Sequence, residues 1–401
     1  MKILKSWEQH LHLLRIKMTE AYIVEAKRTP VGRKKGSLAS VHPADLGGHI
    51  LKSIFEDIQF DPGLIDDVIF GCVDTVGPQA GDIARTCWLA GGLPLHVPGT
   101  TVDRQCGSSQ QAVHFAAQAV MSGTCDAVIA GGVQNMNLVP ISYAMIAGKE
   151  LGFDDPFRGS KGWMERFGDI EVSQFNSANM IAQKWGITRE EMEIFALNSH
   201  EKALQAIDAG IFKDEIVPFG DFDTDETPRR GTSLEKMSEL IPLIEGHNIT
   251  AAMASQNADA SAALLIVSER MLKEHNLTPL VKIKHISVLA DDPIWMLTAP
   301  IPATKSALMK SGVKASEIGV VEINEAFASV VMAWNKEIDI DPKQVNIHGG
   351  AIALGHPLGA TGARLMTTLV HTMKRDKLKY GLQTMCEGGG QANVTILENC
   401  E

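Results

Sequence analysis

Apolar runs of strand length alternate with segments of helical period along most of the chain. Ala21–Ala26, Asp67–Val73, Asp126–Ala130, Val281–Ser287, Val320–Ile323 and Leu382–Cys386 read as buried strands, because their apolar residues are nearly continuous rather than alternating. Over Pro43–Phe55, Gln110–Met121, Arg189–Ala209 and Gly359–Met373 the apolar positions return every three or four residues, which predicts helices. Strands and helices in alternation give an α/β fold with covered sheets. The third helix carries its own boundaries. Thr188 with Glu191 forms a capping box, Met192, Phe195, Ala196, Ala203 and Ile207 share one face, and Gly210 closes it.

One unit occurs twice. A strand at Thr101–Arg104 runs into Cys106-Gly-Ser-Ser, then a helix, then a strand ending in Gly131-Gly132. Later Val345–Ile347 leads into a Gly-rich turn around His356, then a helix, then a strand ending in Cys386-Glu-Gly-Gly-Gly390. A duplicated half is the economical reading. Between the halves, residues 136–250 change character, with Phe153–Gly168 rich in Asp, Gly and Arg and Gly220–Gly231 dense in charge. Long excursions of this kind carry binding function more often than they merely connect. The expected organisation is therefore an extension over 1–17, a first half over 18–135 completed by about 251–279, an inserted loop domain over 136–250, and a second half over 280–401.

Composition narrows the function. A chain of 401 residues exceeds one core, and 45% hydrophobic with 21% charged residues is a globular balance. A net charge of −11 leaves no basic stripe for nucleic acid. No apolar run is long enough for a membrane span. The six cysteines show neither C-x-x-C pairs nor zinc-ligand spacing, so metal and disulfide frameworks are not expected and a reduced, cytoplasmic setting is. Residues 1–17 carry four basic residues without an apolar core or cleavage site, and Met18 is expected to open the folded part.

Phosphate-loop, dinucleotide-binding, G-x-S-x-G and H-E-x-x-H motifs are all missing. Four positions remain. Cys106 sits between a strand and a helix, where the positive helix end favours a thiolate; a buried, inert Cys at a tight turn is the alternative. His356 stands in a run from Gly349 to Arg364 rich in glycine, just ahead of a helix, which suits a neutral base or a capping residue. Cys386-Glu-Gly-Gly-Gly390 ends a strand with backbone N–H groups free to hold an oxyanion. Asn324 opens Asn-Glu-Ala-Phe-Ala328 after an apolar run and equally suits an N-cap.

Together, in this order, Cys106, Asn324-Glu-Ala-Phe-Ala328, Gly355-His-Pro357 and Cys386-Glu-Gly-Gly-Gly390 resemble the thiolase family over about Met18 to Glu401, and Arg28-Thr-Pro-Val-Gly32 resembles its opening strand and turn. The resemblance implies two similar halves in a five-layered α-β-α-β-α body with a loop domain inserted in the first. It implies thiolytic cleavage of a 3-oxoacyl-CoA to acetyl-CoA or propionyl-CoA and a shortened acyl-CoA, or the reverse Claisen condensation. Cys106 would be the nucleophile, His356 its activator and a donor to the thioester oxygen, Asn324 the holder of a water, and Cys386 the second acid/base. The N–H groups of Cys106 and Gly388 would form an oxyanion hole. Coenzyme A, a substrate rather than a tightly bound cofactor, would meet Arg229, Ser255, Ala326 and Phe327. A homo-oligomer, dimer or tetramer, is expected.

Two stretches depart from the family pattern. Ser173-Gln174-Phe175 stands where His-Met-Gly is common, and Ala252-Met-Ala-Ser-Gln256 where Gly-Asn precedes Ala-Ser-Gly. They resemble a branch that handles bulky or branched acyl chains, including ring fragments from steroid breakdown. Ketoacyl synthases share the fold but need a second His where this chain has Cys386. The other alternative, a non-catalytic acyl-CoA-binding relative, should lack one of the four groups, and none is missing.

Overall fold

A computed structural model describes residues 19–153 and 155–400. The expected extension over 1–17, and Met18, lie outside the described residues. Ten strands are present among those described: β1 (Ala21–Arg28), β2 (Gly32–Arg33), β3 (Asp67–Gly71), β4 (Gly99–Val102), β5 (Ala127–Asn135), β6 (Ala258–Ser268), β7 (Val281–Ala290), β8 (Ile318–Ile323), β9 (Tyr380–Glu387) and β10 (Gln391–Asn399). They follow the order β4-β3-β5-β6-β1-β7-β10-β9-β8, with β2 added to β6.

The duplication is visible in this order. β3 and β5 are parallel, β6 runs against β5, and β1 against β6. β8 and β9 are parallel, β10 runs against β9, and β7 against β10. Each half is therefore the same four-strand arrangement. They join through a short β1–β7 pairing in which Tyr22 faces Lys282 and Ile23 faces Val281.

Layering follows from which faces are apolar. The helices Ser108–Ser122 and Leu358–Arg375 share one core with strands of both halves, including Ile23, Val128, Leu264, Val281, Val320 and Leu397. The first half covers its other face with Pro43–Ser53 and Ile83–Ala90, burying Leu46, Ile50, Cys87 and Trp88. The second half uses Pro300–Ser311 and Ala328–Glu337, burying Ala303, Ala307, Val331 and Trp334. Helix, sheet, helix, sheet, helix is the five-layered α/β arrangement that the resemblance implies. At about 1.5–3 kcal/mol per buried large aliphatic side chain, these three cores dominate the favourable side of folding.

Two sequence expectations change. Val345–Ile347 is not a strand. Asn346 adopts a left-handed backbone (φ 46°), which breaks extended pairing and leaves one parallel bridge, Val345 to Val321. Its side chain takes over the ladder, accepting the Ile323 N–H and donating to the Ile323 carbonyl, each at 2.9 Å. Likewise Gly131-Gly132 does not end a strand but lies inside β5. Side chains there would collide with the Ala262 carbonyl on one side and the Gly359 carbonyl on the other.

Between β5 and β6 the chain forms Gln174–Lys184 and Arg189–Asp208 along with shorter helices. The capping box at Thr188 and Glu191 is formed. Arg28 ties this region to β1. Fully buried, it donates to Glu215 at 2.6 Å and to both oxygens of Asp225 at 2.7 and 2.9 Å. Among the described residues no helix is long and apolar enough to cross a membrane.

Candidate active site

Cys106 is presented by a sharp turn from β4 into the helix Ser108–Ser122. The turn is locally encoded. Asp103 accepts the Gln105 N–H at 2.8 Å, and the Ser108 hydroxyl accepts the Arg104 N–H at 2.9 Å while donating to the Gln105 carbonyl. Gln105 is held in the left-handed region (φ 49°), a strain of about 1–2 kcal/mol in a non-glycine residue. Cys106 itself is half-buried against Val73, Met136 and Leu358. Its thiol is pushed up to about 12 by burial and next by Glu387, while its own N–H and that of Gly388 pull the other way. The helix-end argument for a standing thiolate therefore fails. Burial outweighs the N–H groups, and a base must help remove the proton.

Cys386 lies in β9, fully buried, its thiol raised well above the ordinary value by burial and then by the neighbouring Cys106. β9 and β10 form a hairpin through Gly388–Gly390. Gly389 and Gly390 have positive φ (82° and 75°), and Gly390 packs so tightly on the Asp291 and Asp292 carbonyls that a Cβ would clash. This turn aims the Gly388 N–H at the Cys106 sulfur. Cys106, Cys386 and Gly388 thus meet at one spot.

His356 and Asn324 form a second group. His356 Nε2 lies 3.4 Å from Asn324 Nδ2, and Nδ1 lies 2.7 Å from the Thr361 hydroxyl. Burial, helped by Arg364, lowers the imidazole to about 3, so it is neutral. Asn324 Oδ1 is buried with no partner among the described residues, and a water fits as its missing donor. The two groups converge through the backbone. The Asn324 N–H donates to Thr384, two residues before Cys386, and Leu358, two residues after His356, packs on Cys106. No hydrogen bond joins His356 to Cys106 directly.

The four residues expected along coenzyme A gather beside His356. The Ser255 N–H donates to the Ala326 carbonyl at 3.0 Å, and Ala254 bridges Phe327. Phe327 stands edge-on to Phe175 at 5.7 Å, which links this arm to the Ser173–Phe175 stretch. Arg229 reaches Gln256 at 3.3–3.4 Å and borders a cleft of ≈ 350 Å³ with Arg230, Lys236, Met237 and Ala252. Ser173 caps the helix Gln174–Lys184; Gln174 is half-buried and its side chain makes no hydrogen bond to the described residues. A separate cleft of ≈ 250 Å³ lies behind Glu325 and holds none of the expected site residues. Among the described residues no group of His, Cys, Asp and Glu is arranged to hold a metal ion.

Three contributors were not singled out from sequence. Gln256 occupies the place of a departure from the family pattern. Its side chain donates to the Thr227, Ile352 and Ala353 carbonyls, and its own carbonyl accepts the His356 N–H at 2.8 Å. Thr361 fixes the imidazole, a role hidden five residues along a Gly-rich run. Glu387 stood inside a quoted motif without a role.

Residues 21–270 match the thiolase N-terminal domain and residues 277–399 the thiolase C-terminal domain. The chain is 57% identical over 385 residues to a steroid 3-ketoacyl-CoA thiolase of Mycobacterium tuberculosis, covering 95% of this chain and 94% of that one. It is 38% identical over 398 residues to 3-ketoacyl-CoA thiolases of Escherichia coli and Cronobacter sakazakii, covering 95% of this chain and 100% of each.

Proposed function

This chain belongs to the thiolase family and is an acyltransferase that cleaves 3-oxoacyl-CoA with coenzyme A, and we propose that Cys106 is its nucleophile. The observation that carries this assignment is the convergence of Cys106, Cys386 and the Gly388 N–H, with neutral His356 and Asn324 close by. His356 Nε2 takes the Cys106 proton as the sulfur attacks the 3-keto carbon. The C2–C3 bond breaks, the acyl group stays on sulfur, and acetyl-CoA leaves as its enolate. Cys386 gives that enolate a proton. A second coenzyme A thiol then loses its proton to Cys386 and takes the acyl group, and the released Cys106 sulfur takes its proton back from His356. The N–H groups of Cys106 and Gly388 hold the oxyanion in the tetrahedral steps; Asn324, through a water, and His356 hold the enolate oxygen.

Coenzyme A, a substrate with no tightly bound cofactor beside it, lies along Ser255, Ala326 and Phe327 with Arg229 toward its nucleotide end. The basic cleft at Arg229, Arg230 and Lys236 supports this, since phosphates favour it. The acyl group is bulky and derives from steroid breakdown. The name of the 57% identical relative and the side-chain amide of Gln174, which makes no hydrogen bond to the described residues, support that reading. We assign the halves to 18–135 with 251–279 and to 280–401, and the insert to 136–250. The six free cysteines suit the cytoplasm. The apolar side chains exposed at Leu138, Tyr143, Ile146, Leu151 and Phe153 suit a homo-oligomer, dimer or tetramer.

Intact-protein mass spectrometry after treatment with a 3-oxoacyl-CoA tests the core of the proposal. One acyl group should add, and none should add to Cys106→Ala. An adduct that survives the substitution removes Cys106 from its role.

A further inference from the structure

Glu387 follows Cys386 in β9 and plays no part in the acyl transfer proposed above. Its side chain is fully buried. Oε1 accepts the Asn393 N–H at 2.9 Å, and Oε2 is buried with no partner among the described residues. The carboxyl lies against Gly107, the residue after Cys106, where any Cβ would collide with Oε1. It also bears electrostatically on both Cys106 and Cys386.

The charged and titratable groups facing it are few. Arg104 and Cys106 come from the turn ahead of the helix Ser108–Ser122, and Cys386 from its own strand. His114, on that helix, touches it only at one remove, with Nδ1 3.0 Å from Asn393 Nδ2. Arg104 makes no ion pair with Glu387; its Nη1 donates to Gln391 at 2.7 Å, and its Nε is buried with no partner among the described residues. A buried carboxyl with one N–H donor and no ion-paired counter-charge keeps its proton. Burial raises Glu387 to about 8, with Arg104 partly offsetting it.

We propose that Glu387 is a positioning residue for the acyl transfer assigned above, on which this inference rests: as the neutral acid it lets Cys106 ionise, and as the carboxylate it holds Cys106 as a thiol. The ionisation it controls is the loss of the Sγ proton to His356 Nε2, with the electron pair left on sulfur. At neutral pH the acid form prevails, so the second negative charge is absent when the thiolate forms. As pH rises the carboxylate appears and opposes further ionisation of its neighbour.

Iodoacetamide labelling of the full chain, followed at the Cys106 peptide by mass spectrometry, reads this directly. Glu387→Gln keeps shape and removes the charge. At pH 6.5 the two chains should label within about two-fold of each other, and at pH 9 the variant about ten-fold faster, the effect of one adjacent like charge. The alkaline fall in kcat/KM should vanish in Glu387→Gln. In Arg104→Gln it should move to higher pH, because the cation that favours the carboxylate is gone. Superimposable labelling profiles, or an alkaline limb unmoved or lowered in Arg104→Gln, overturn the proposal. Failure of the parent chain to form any acyl adduct on Cys106 would instead remove the acyl-transfer reading; adducts with unchanged profiles remove only the role of Glu387.

Discussion

His356 sits between Asn324 Nδ2, 3.4 Å from its Nε2, and the Thr361 hydroxyl, 2.7 Å from its Nδ1, and this pairing fixes its tautomer. An amide nitrogen only donates, so Nε2 must accept and Nδ1–H must donate to Thr361. Nε2 is then the unprotonated nitrogen, and it takes a proton in place of the long Asn324 hydrogen bond. Thr361→Val keeps the volume and removes the acceptor. We expect kcat to fall about ten-fold with little change in KM, as the wrong tautomer becomes populated. Steady-state kinetics beside a thermal melt check it. A fall in kcat that is matched by a large loss of melting temperature would point to packing rather than the tautomer.

Cys386 gives a different signature. Its substitution by Ser keeps a hydroxyl in place of a thiol but weakens the acid and base. Acylation of Cys106 should persist, while turnover falls by about 10²–10⁴. The paired measurement is adduct formation by mass spectrometry against steady-state rate. Normal turnover would contradict the second proton carrier.

Some of this was open to reading in the sequence and some was not. Buried strands such as Val320–Ile323 and the capped helix after Thr188 follow from local pattern, and both formed. Asn346 defeats that kind of reading, because its side chain replaces a ladder that its backbone abandons. β6 was missed for another reason: its first residues are small, and only burial on both faces makes Ala258–Ser268 a central strand. The cysteines and His356 announce themselves by residue type and glycine context. Thr361 and Gln256 do not, since their roles depend on which atoms the fold brings within reach. The charge state of Cys106 was misread because a helix end is visible in sequence and the packing around a sulfur is not.

The buried titratable groups set a stability optimum. His114 and His356 are lowered to about 3, and His200 and His348 to about 4, all chiefly by burial. The unfolded chain binds protons at these four as pH falls through their ordinary value of 6.5, while the folded chain does not, so stability drops on the acid side. Glu322 and Glu387 are raised to about 8, again by burial. Here the folded chain holds protons that the unfolded chain releases, so stability drops as pH rises toward 8. Below 6.5 the raised carboxyls oppose these histidines and His285, which burial also lowers; above it the histidines no longer contribute and the buried carboxyls, Glu325 among them, set the trend. The melting temperature should therefore peak at about pH 6.5–7. Glu387→Gln should lessen the alkaline fall and leave the acid side steeper. A melting temperature that rises steadily from pH 5 to 8.5 would contradict this balance.

Gln174 bears on the choice of acyl chain. It opens the helix Gln174–Lys184, next to Phe175, whose ring meets Phe327 edge-on at 5.7 Å. Its residue is half-buried and its amide makes no hydrogen bond to the described residues, so a bound substrate can satisfy it. A substrate oxygen or carboxylate is such a partner, and an unbranched short acyl group is not. Replacing Gln174 with Met keeps length and removes that polar contact while adding apolar wall. The ratio of kcat/KM for a bulky, oxygenated 3-oxoacyl-CoA to that for acetoacetyl-CoA should fall by at least several-fold, about 1 kcal/mol of discrimination. The loss should appear mainly against the bulky substrate, since that is where the hydrogen bond is given up. An unchanged ratio would place Gln174 outside the acyl pocket and leave the selectivity to other residues.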